Sequence, residues 1–506
     1  MSCPQPAESV PDGTFRTLSE RCTAEREYGR LRPLLLLGTL LLWLIVHSGC
    51  GMGAPRDPYS TLSNPRASAN AQLDALSRLD SPSPSPRYLD ELARLTLSPN
   101  HLESVRKAAF NRLANADPAR LDEVLATTLS RIQPTDFRAW VITRLGELDR
   151  KQLTKAIIRS WAMPTAYWLR DRERPEPTAL AVMYGGKDKV AVVLLDTLLS
   201  ANPLVERNLR MRCWELMVGL DQDELLVELV NSGDLVGTDP MLLDMRSAIN
   251  DLGVLPRNKE EILWIRELRK DDHADYWTKL SESLSRLDAS RRQSLAAREL
   301  PLVVAADRHR SDLLGLDQAA LYELLARQIE SSGPRYTADF SGWEIKITER
   351  LNDVRDQVTW GDLVAMVLAR EALQDPAFLD HLFDQADRDM IDSTTEYGGV
   401  IRLDPKGRFE LVEHPPRSRI SDEKYLAPQS LFDDGYTALF HFHNHAQNYT
   451  NRRHAGPHMG DLQYADETGA NCLVFTFVKP DLLNVDFYRH DSVVVDLGTA
   501  RRPDQG

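Results

Sequence analysis

Apolar residues recur every three and four positions from residue 88 to about residue 300, and past residue 395 they recur every two. This change of period divides the chain more firmly than any other feature. Leu121, Val124, Leu125, Leu129 and Ile132 form one stripe, and Phe137, Trp140, Val141, Leu145 and Leu148 form another. That spacing puts the apolar side chains on one face of a helix. Ser98-Pro99, Asp117-Pro118 and Asp239-Pro240 each read as a helix start, a capping side chain followed by a proline whose missing N–H is not needed in the first turn. Further helices are expected over 190–199, 209–220, 224–230 and 241–252. Trp140, Trp161, Trp168 and Trp214 stand at helical apolar positions, where core packing accounts for them.

The helix pairs of 88–300 recur at intervals of roughly 35 to 45 residues, which resembles a degenerate HEAT-like solenoid. No strict repeat consensus is present, so an irregular helical bundle is the alternative. The region 301–371 stays mostly helical, clearest at 316–329 and 360–373, with a strand-like run at 340–347, and belongs to neither neighbour by pattern. Asp375-Pro376 then opens a helix carrying Leu379, Leu382, Phe383, Ala386 and Met390 on one side. Ile401 and Leu403, then Phe409 and Leu411, alternate around Asp404-Pro405-Lys406-Gly407, a turn with proline second, so a hairpin is expected. The β-prone runs 473–478, 485–488 and 493–497 complete a sheet. The fold class is therefore multidomain, an N-terminal α-helical domain followed by a C-terminal α/β domain over 372–499.

The N-terminal region has a different character. Arg21, Arg26, Arg30 and Arg32 precede an apolar run at 34–46. Such a run is short for about 30 Å of hydrocarbon and reads as the core of an export signal. Val46-His47-Ser48-Gly49-Cys50 follows and resembles the lipobox of bacterial lipoproteins, which implies lipidation at Cys50; a short uncleaved anchor is the alternative. Either reading leaves the bulk of the chain outside the cytoplasm, tethered in the cell envelope. The Pro- and Ser-rich stretch 51–87, ending in Ser81-Pro82-Ser83-Pro84-Ser85-Pro86, reads as an extended tether with a short helix near 71–79.

A formal charge of −14 over 506 residues, with no run of lysine or arginine, lacks the electrostatic footprint of a nucleic-acid binder. Beyond Cys50 the remaining cysteines are Cys213 and Cys472, too few for a disulfide framework and without a Cys-x-x-Cys motif.

Against this background one cluster stands out. Five of the twelve histidines, His441, His443, His445, His454 and His458, fall between residues 441 and 458. Residues two apart on a strand share a face, so His443 and His445 converge, and Asp461 is a candidate third ligand for a zinc ion. The register leaves His441 with His443 as the alternative ligand pair. A solvent-exposed histidine-rich loop is the plain alternative for the whole cluster.

The order helix, Glu396 with Gly398-Gly399, His443-Asn444-His445 and Pro457-His458-Met459-Gly460-Asp461 resembles the motif of the JAMM (MPN+) zinc metalloproteases, the family of JAB-domain proteins. The resemblance covers about 372–499. It implies an α/β JAMM-like fold in which His443, His445 and Asp461 hold Zn²⁺ and Glu396 is the general base for amide hydrolysis of a protein or peptide substrate. His458 occupies the place of the family's serine, which steadies the oxyanion, and an imidazole there can also donate a hydrogen bond. Ala446 replaces a proline, and the interval from His445 to Asp461 is four residues longer than the motif, so a loop is expected to bulge over the site. The function expected is thus a membrane-tethered zinc hydrolase. The alternative is a non-catalytic scaffold lipoprotein whose helices and JAMM-like domain bind protein partners.

Overall fold

The computed structural model describes residues 57–163, 173–233, 237, 239–337 and 347–503. The leader at 1–50 with Cys50, Trp168, and the strand-like run at 340–347 apart from Ile347 lie outside the described residues. Among the described residues no helix is long and apolar enough to cross a membrane.

A succession of short helices leads from Pro58–Leu62 to Gln318–Glu330. Neighbours in sequence pack on one another, as Pro86–Leu97 does on Glu103–Ala116 and Asp188–Ser200 on Arg207–Val218. The Asp-Pro starts behave as their chemistry dictates: Asp117 accepts the Arg120 N–H at 3.0 Å, and Asp239 accepts those of Met241 and Leu242 at 3.1 and 3.2 Å. Ser98-Pro99 does not start a helix. Ser98 instead closes Pro86–Leu97, and its hydroxyl meets His101 Nδ1 at 2.8 Å.

The stretch expected to be a tether is folded from Asp57 onward. Pro58–Leu62 and Ala69–Leu79 are helices that bury Leu62, Ala75 and Leu76 in the common core. Ser85-Pro86 starts the next helix, Ser85 accepting the Tyr88 N–H at 3.3 Å, and the Tyr88 hydroxyl reaches back to the Leu76 carbonyl at 3.0 Å. The reason is local: a serine before proline caps a helix as readily as it extends a chain, and the following helices offer these leucines an apolar surface.

The region 301–371 is part of the core. Helix α1 (Trp360–Ala372) is buried on every side from Leu363 to Ala369, as a helix that is apolar all round must be. Helix α2 (Pro376–Ile391), capped by Asp375, lays Phe378, Leu382, Phe383 and Ala386 into the same core.

Six strands follow: β1 (Gly398–Leu403), β2 (Phe409–Glu413), β3 (Phe440–His445), β4 (Cys472–Lys479), β5 (Leu482–Arg489) and β6 (Val493–Arg501). They form one sheet in the order β2-β1-β3-β4-β5-β6, antiparallel except for the β3–β4 pair. Parallel neighbours need a crossover, here made by helix α4 (Met459–Thr468); the shorter α3 (Gln429–Gly435) precedes β3. Both faces of the sheet are covered. Phe442, Leu473, Phe475, Phe487 and Val495 join the helical core, while Cys472, Val474, Tyr488 and Val494 pack under Leu462 and Ala465 of α4. Cys472 and Cys213 are buried, and burial pushes both thiols above their ordinary value.

Helices and sheet are joined by a buried ionic network. Asp362 on α1 accepts Arg489 Nε of β5 at 3.0 Å on each oxygen and an Arg298 guanidinium N–H at 3.2 Å. Arg298 also donates from Nε to Asn471 Oδ1 at 3.2 Å, and the Asn471 carbonyl accepts the His441 N–H at 2.9 Å. The helical domain is therefore hydrogen-bonded through Arg298 and Asn471 to His441, the second residue of β3. Burial alone would raise the Asp362 carboxyl, but Arg298 and Arg489 hold it below its ordinary value. Asp362→Asn would leave two buried guanidinium groups short of their shared charge. A loss of roughly 3–5 kcal/mol in unfolding free energy is expected by denaturant titration, against little change for a carboxylate on the surface.

Candidate functional site

The sheet register assembles the cluster. In the antiparallel β1–β3 pair Gly398 lies opposite His443 and Gly399 opposite Phe442. Continuing the ladder by one bond, Asn444 N–H to the Tyr397 carbonyl at 3.0 Å, sets Glu396 beside His445 on the histidine face. Side chains alternate along β3, so His441, His443 and His445 share that face while Phe440 and Phe442 enter the core behind it. Asp461 arrives from elsewhere. It is the third residue of α4, whose first turn begins past the carboxyl end of β3, and its carboxylate accepts the His458 N–H at 2.6 Å, a capping bond that fixes its direction.

Glycine at 398 and 399 is a requirement of close packing. A Cβ on Gly399 would sit 2.0 Å from the Val412 carbonyl oxygen, and one on Gly398 would fall 2.7 Å from the Phe442 carbonyl oxygen and 2.8 Å from the Tyr425 ring.

The donor atoms converge. His443 Nε2 and His445 Nε2 are 3.2 Å apart, Asp461 Oδ1 is 3.4 Å from His443 Nε2, and Asp461 Oδ2 is 3.7 Å from His445 Nε2. Glu396 Oε1 stands 3.9 Å from His445 Nε2. Two triads have all their donor atoms within 4.8 Å, Glu396 with His443 and His445, and His445 with His458 and Asp461. Either geometry can hold a metal ion.

Residues from the loop between β3 and α4 orient these groups. The His454 carbonyl accepts His445 Nδ1–H at 2.7 Å, which leaves the Nε2 lone pair of His445 pointing into the cluster. Gln447 donates to Glu396 Oε1 at 3.1 Å and to the Asp422 carbonyl at 2.6 Å. Asn451 ties the loop down, donating from its side chain to the His445 carbonyl at 3.2 Å and from its backbone N–H to the Phe477 carbonyl at 2.8 Å. The loop is thus built into the site.

Burial and charge set the protonation states. Burial drives the Glu396 carboxyl up to about 7, Asp461 adding to the rise and His443 opposing it. For His443 burial works downward, but Asp461, Glu396 and Asp389 outweigh it and carry the imidazole up to about 9. His445, buried beside that cation, is lowered to about 3. Burial would raise Asp461 as well, yet His443 and His445 hold it well below the carboxylate range. Asp389, on α2 behind Glu396, is pushed by burial to about 8.

Of the residues singled out from sequence, Glu396, His443, His445, His458 and Asp461 come together and His441 does not join them. The His441 ring turns to Tyr464, whose hydroxyl lies 2.7 Å from Nδ1, and its Nε2 abuts Gly435. Burial keeps that imidazole neutral, down to about 4. The alternative pairing of His441 with His443 is therefore not the one the strand presents. Gln447 and the His454 carbonyl went unnoticed in the sequence, since a loop amide and a backbone oxygen carry no spacing signal. A cavity of about 400 Å³ opens onto the cluster, walled by Glu423, Tyr425, Leu431, Tyr464, Glu467 and Tyr488.

No family model matches the chain, and neither a curated protein nor a solved structure matches it.

The glycine contacts give a direct check on this geometry. Gly399→Ala should cost about 1–3 kcal/mol in unfolding free energy, by forcing β1 from β2. Gly460→Ala in α4, where a Cβ meets nothing within 4 Å, should be neutral or slightly stabilising in the same denaturant titration.

Proposed function

We propose that the chain is a zinc-dependent hydrolase of JAMM type acting on a peptide or isopeptide bond. The observation that carries the reading is the approach of Asp461 to both histidines, which stand 3.2 Å apart at Nε2: its Oδ1 lies 3.4 Å from His443 Nε2 and its Oδ2 3.7 Å from His445 Nε2, beside the Glu396 carboxylate. With Zn–N of about 2.0–2.1 Å, tetrahedral coordination sets neighbouring donor atoms about 3.3 Å apart. The donor set has the right chemistry as well: two imidazoles, one with its tautomer fixed by a carbonyl, and one carboxylate held ionised. His443, His445 and Asp461 are the ligands in this reading. A zinc ion bound there supplies Lewis acidity to the attacking water and to the scissile carbonyl.

The chain's own residues do the rest. Glu396, buried beside the two histidines, can take a proton from the attacking water and return it to the leaving amine. Gln447 orients the Glu396 carboxylate by its 3.1 Å bond to Oε1, the oxygen that also stands 3.9 Å from His445 Nε2. The aromatic and leucine walls of the cavity give a polypeptide segment a place beside the cluster and reduce the access of water. In this proposal the apolar run 34–46 and Cys50 hold the hydrolase at a membrane, outside the cytoplasm.

The test uses the full chain. Zinc should survive dialysis, and His443→Ala should lose at least one equivalent by metal analysis; a metal content untouched by that substitution would sink the proposal. Glu396→Gln should keep its zinc and lose roughly 10²–10⁴-fold in hydrolysis of a peptide or isopeptide substrate. A Glu396→Gln protein as active as the parent would leave the site without its base.

A further inference from the structure

His441 is the imidazole of β3 that the metal-binding cluster leaves aside, yet it lines the same cavity as the cluster. It lies two residues back from His443 on the same face, a step of about 7 Å along the strand. The cavity of about 400 Å³ therefore continues from the cluster along β3, and it has the size that small ligands and side chains occupy. Helix α4 packs over β5 and α3 over β1, so the space above β3 is walled from both sides. Tyr464 stands on the α4 side, and Tyr425, Leu426 and Leu431 on the other. Gly398 makes room for this wall, since a Cβ there would fall 2.8 Å from the Tyr425 ring.

The polar atoms of these walls are already engaged. The Tyr464 hydroxyl lies 2.7 Å from His441 Nδ1, and the Tyr425 hydroxyl donates to the His414 carbonyl at 2.8 Å. His441 Nε2 is turned against Gly435, where a Cβ would come within 2.5 Å of it. Phe432 closes behind His441 and Tyr464, with ring centroids 6.5 and 6.2 Å away. What the walls present to the cavity is therefore carbon. Outside the cluster, the charged residues that line it, Glu423, Lys424 and Glu467, are exposed and belong to its mouth. We propose that this cavity is a specificity pocket, and that the substrate carries a large apolar side chain, aromatic or long aliphatic, beside the scissile bond. The inference rests on the reading of His443, His445 and Asp461 as a zinc site, which puts the scissile carbonyl at the cluster end of the cavity. A small side chain would leave the pocket unfilled, and a charged one would be buried against carbon without a partner.

The test needs no knowledge of the natural substrate. Zinc-loaded full-length chain is titrated by calorimetry with acetohydroxamate and with phenylpropanohydroxamate, which grip a metal through the same group and differ in the side chain they bring. Phenylpropanohydroxamate should bind roughly 10–100-fold tighter, the gain expected from burying a side chain of that size. Leu426→Asp, which sets a carboxylate into a half-buried position of the wall, should bring the two affinities within a few-fold of each other and leave that of acetohydroxamate unchanged. Leu426→Asn, closer to leucine in shape and uncharged, carries the same expectation if the aspartate variant loses its zinc. Equal affinities in the parent, or a preference that survives both substitutions, overturn the pocket and leave the hydrolase reading standing. A zinc-loaded parent that binds neither hydroxamate overturns both.

Discussion

The Asp362 carboxylate, buried between Arg298 and Arg489, is the constraint on which the rest of the arrangement depends. Each guanidinium comes from a different layer, one from the end of the helical array and one from β5, and the acid comes from the helix between them. Burying three charges is costly unless each is neutralised and hydrogen-bonded. The solution here uses two bonds from Arg489 Nε, one from Arg298 and one from the Thr359 N–H, so the three elements must meet in one register. The same Arg298 grips Asn471, which receives β3 through the His441 N–H. The histidine strand is therefore placed by the packing of helices far away in sequence.

Once β3 is placed, the cluster follows from pleat and register. Alternation brings His443 and His445 to one face, the antiparallel ladder brings Glu396 alongside, and the capping bond of α4 turns Asp461 inward. The loop that separates β3 from α4 contributes positioning groups, the Gln447 amide and the His454 carbonyl, and two further imidazoles. Charge is balanced internally: the His443 cation faces the ionised Asp461, and the neutral His445 stands 3.7 Å from that carboxylate and 3.9 Å from Glu396. Such a concentration of imidazole and carboxylate on a buried face, with perturbed protonation, is characteristic of a functional site.

Much of this was legible in residue patterns, for reasons that can be named. The change of period from three and four to two marks where helices give way to the sheet, and Asp404-Pro405-Lys406-Gly407 forms the β1–β2 turn, with Gly407 at a φ of 79°. Asp117, Asp239 and Asp375 cap the helices they announce, each carboxylate accepting an N–H of the first turn. Ser98 failed as a helix start, and the Ser-Pro run at 81–86 failed as a tether, since capping and chain extension use the same residues and tertiary packing chooses between them. The Asp362 network left no local trace, its members being 64 and 127 residues from Asp362. Glu396 has no signal of its own either; only the motif pointed to it. His441 could be separated from His443 and His445 only by the partner its ring finds in Tyr464.

The most direct test of the metal centre is anomalous diffraction at the zinc edge from crystals of the full chain grown with Zn²⁺. The arrangement predicts an anomalous peak within bonding distance of His443 Nε2, His445 Nε2 and an Asp461 oxygen, with the Glu396 carboxylate beside it and outside the ligand set. Crystals containing zinc that show no peak among these residues, or a peak only elsewhere in the molecule, would contradict it.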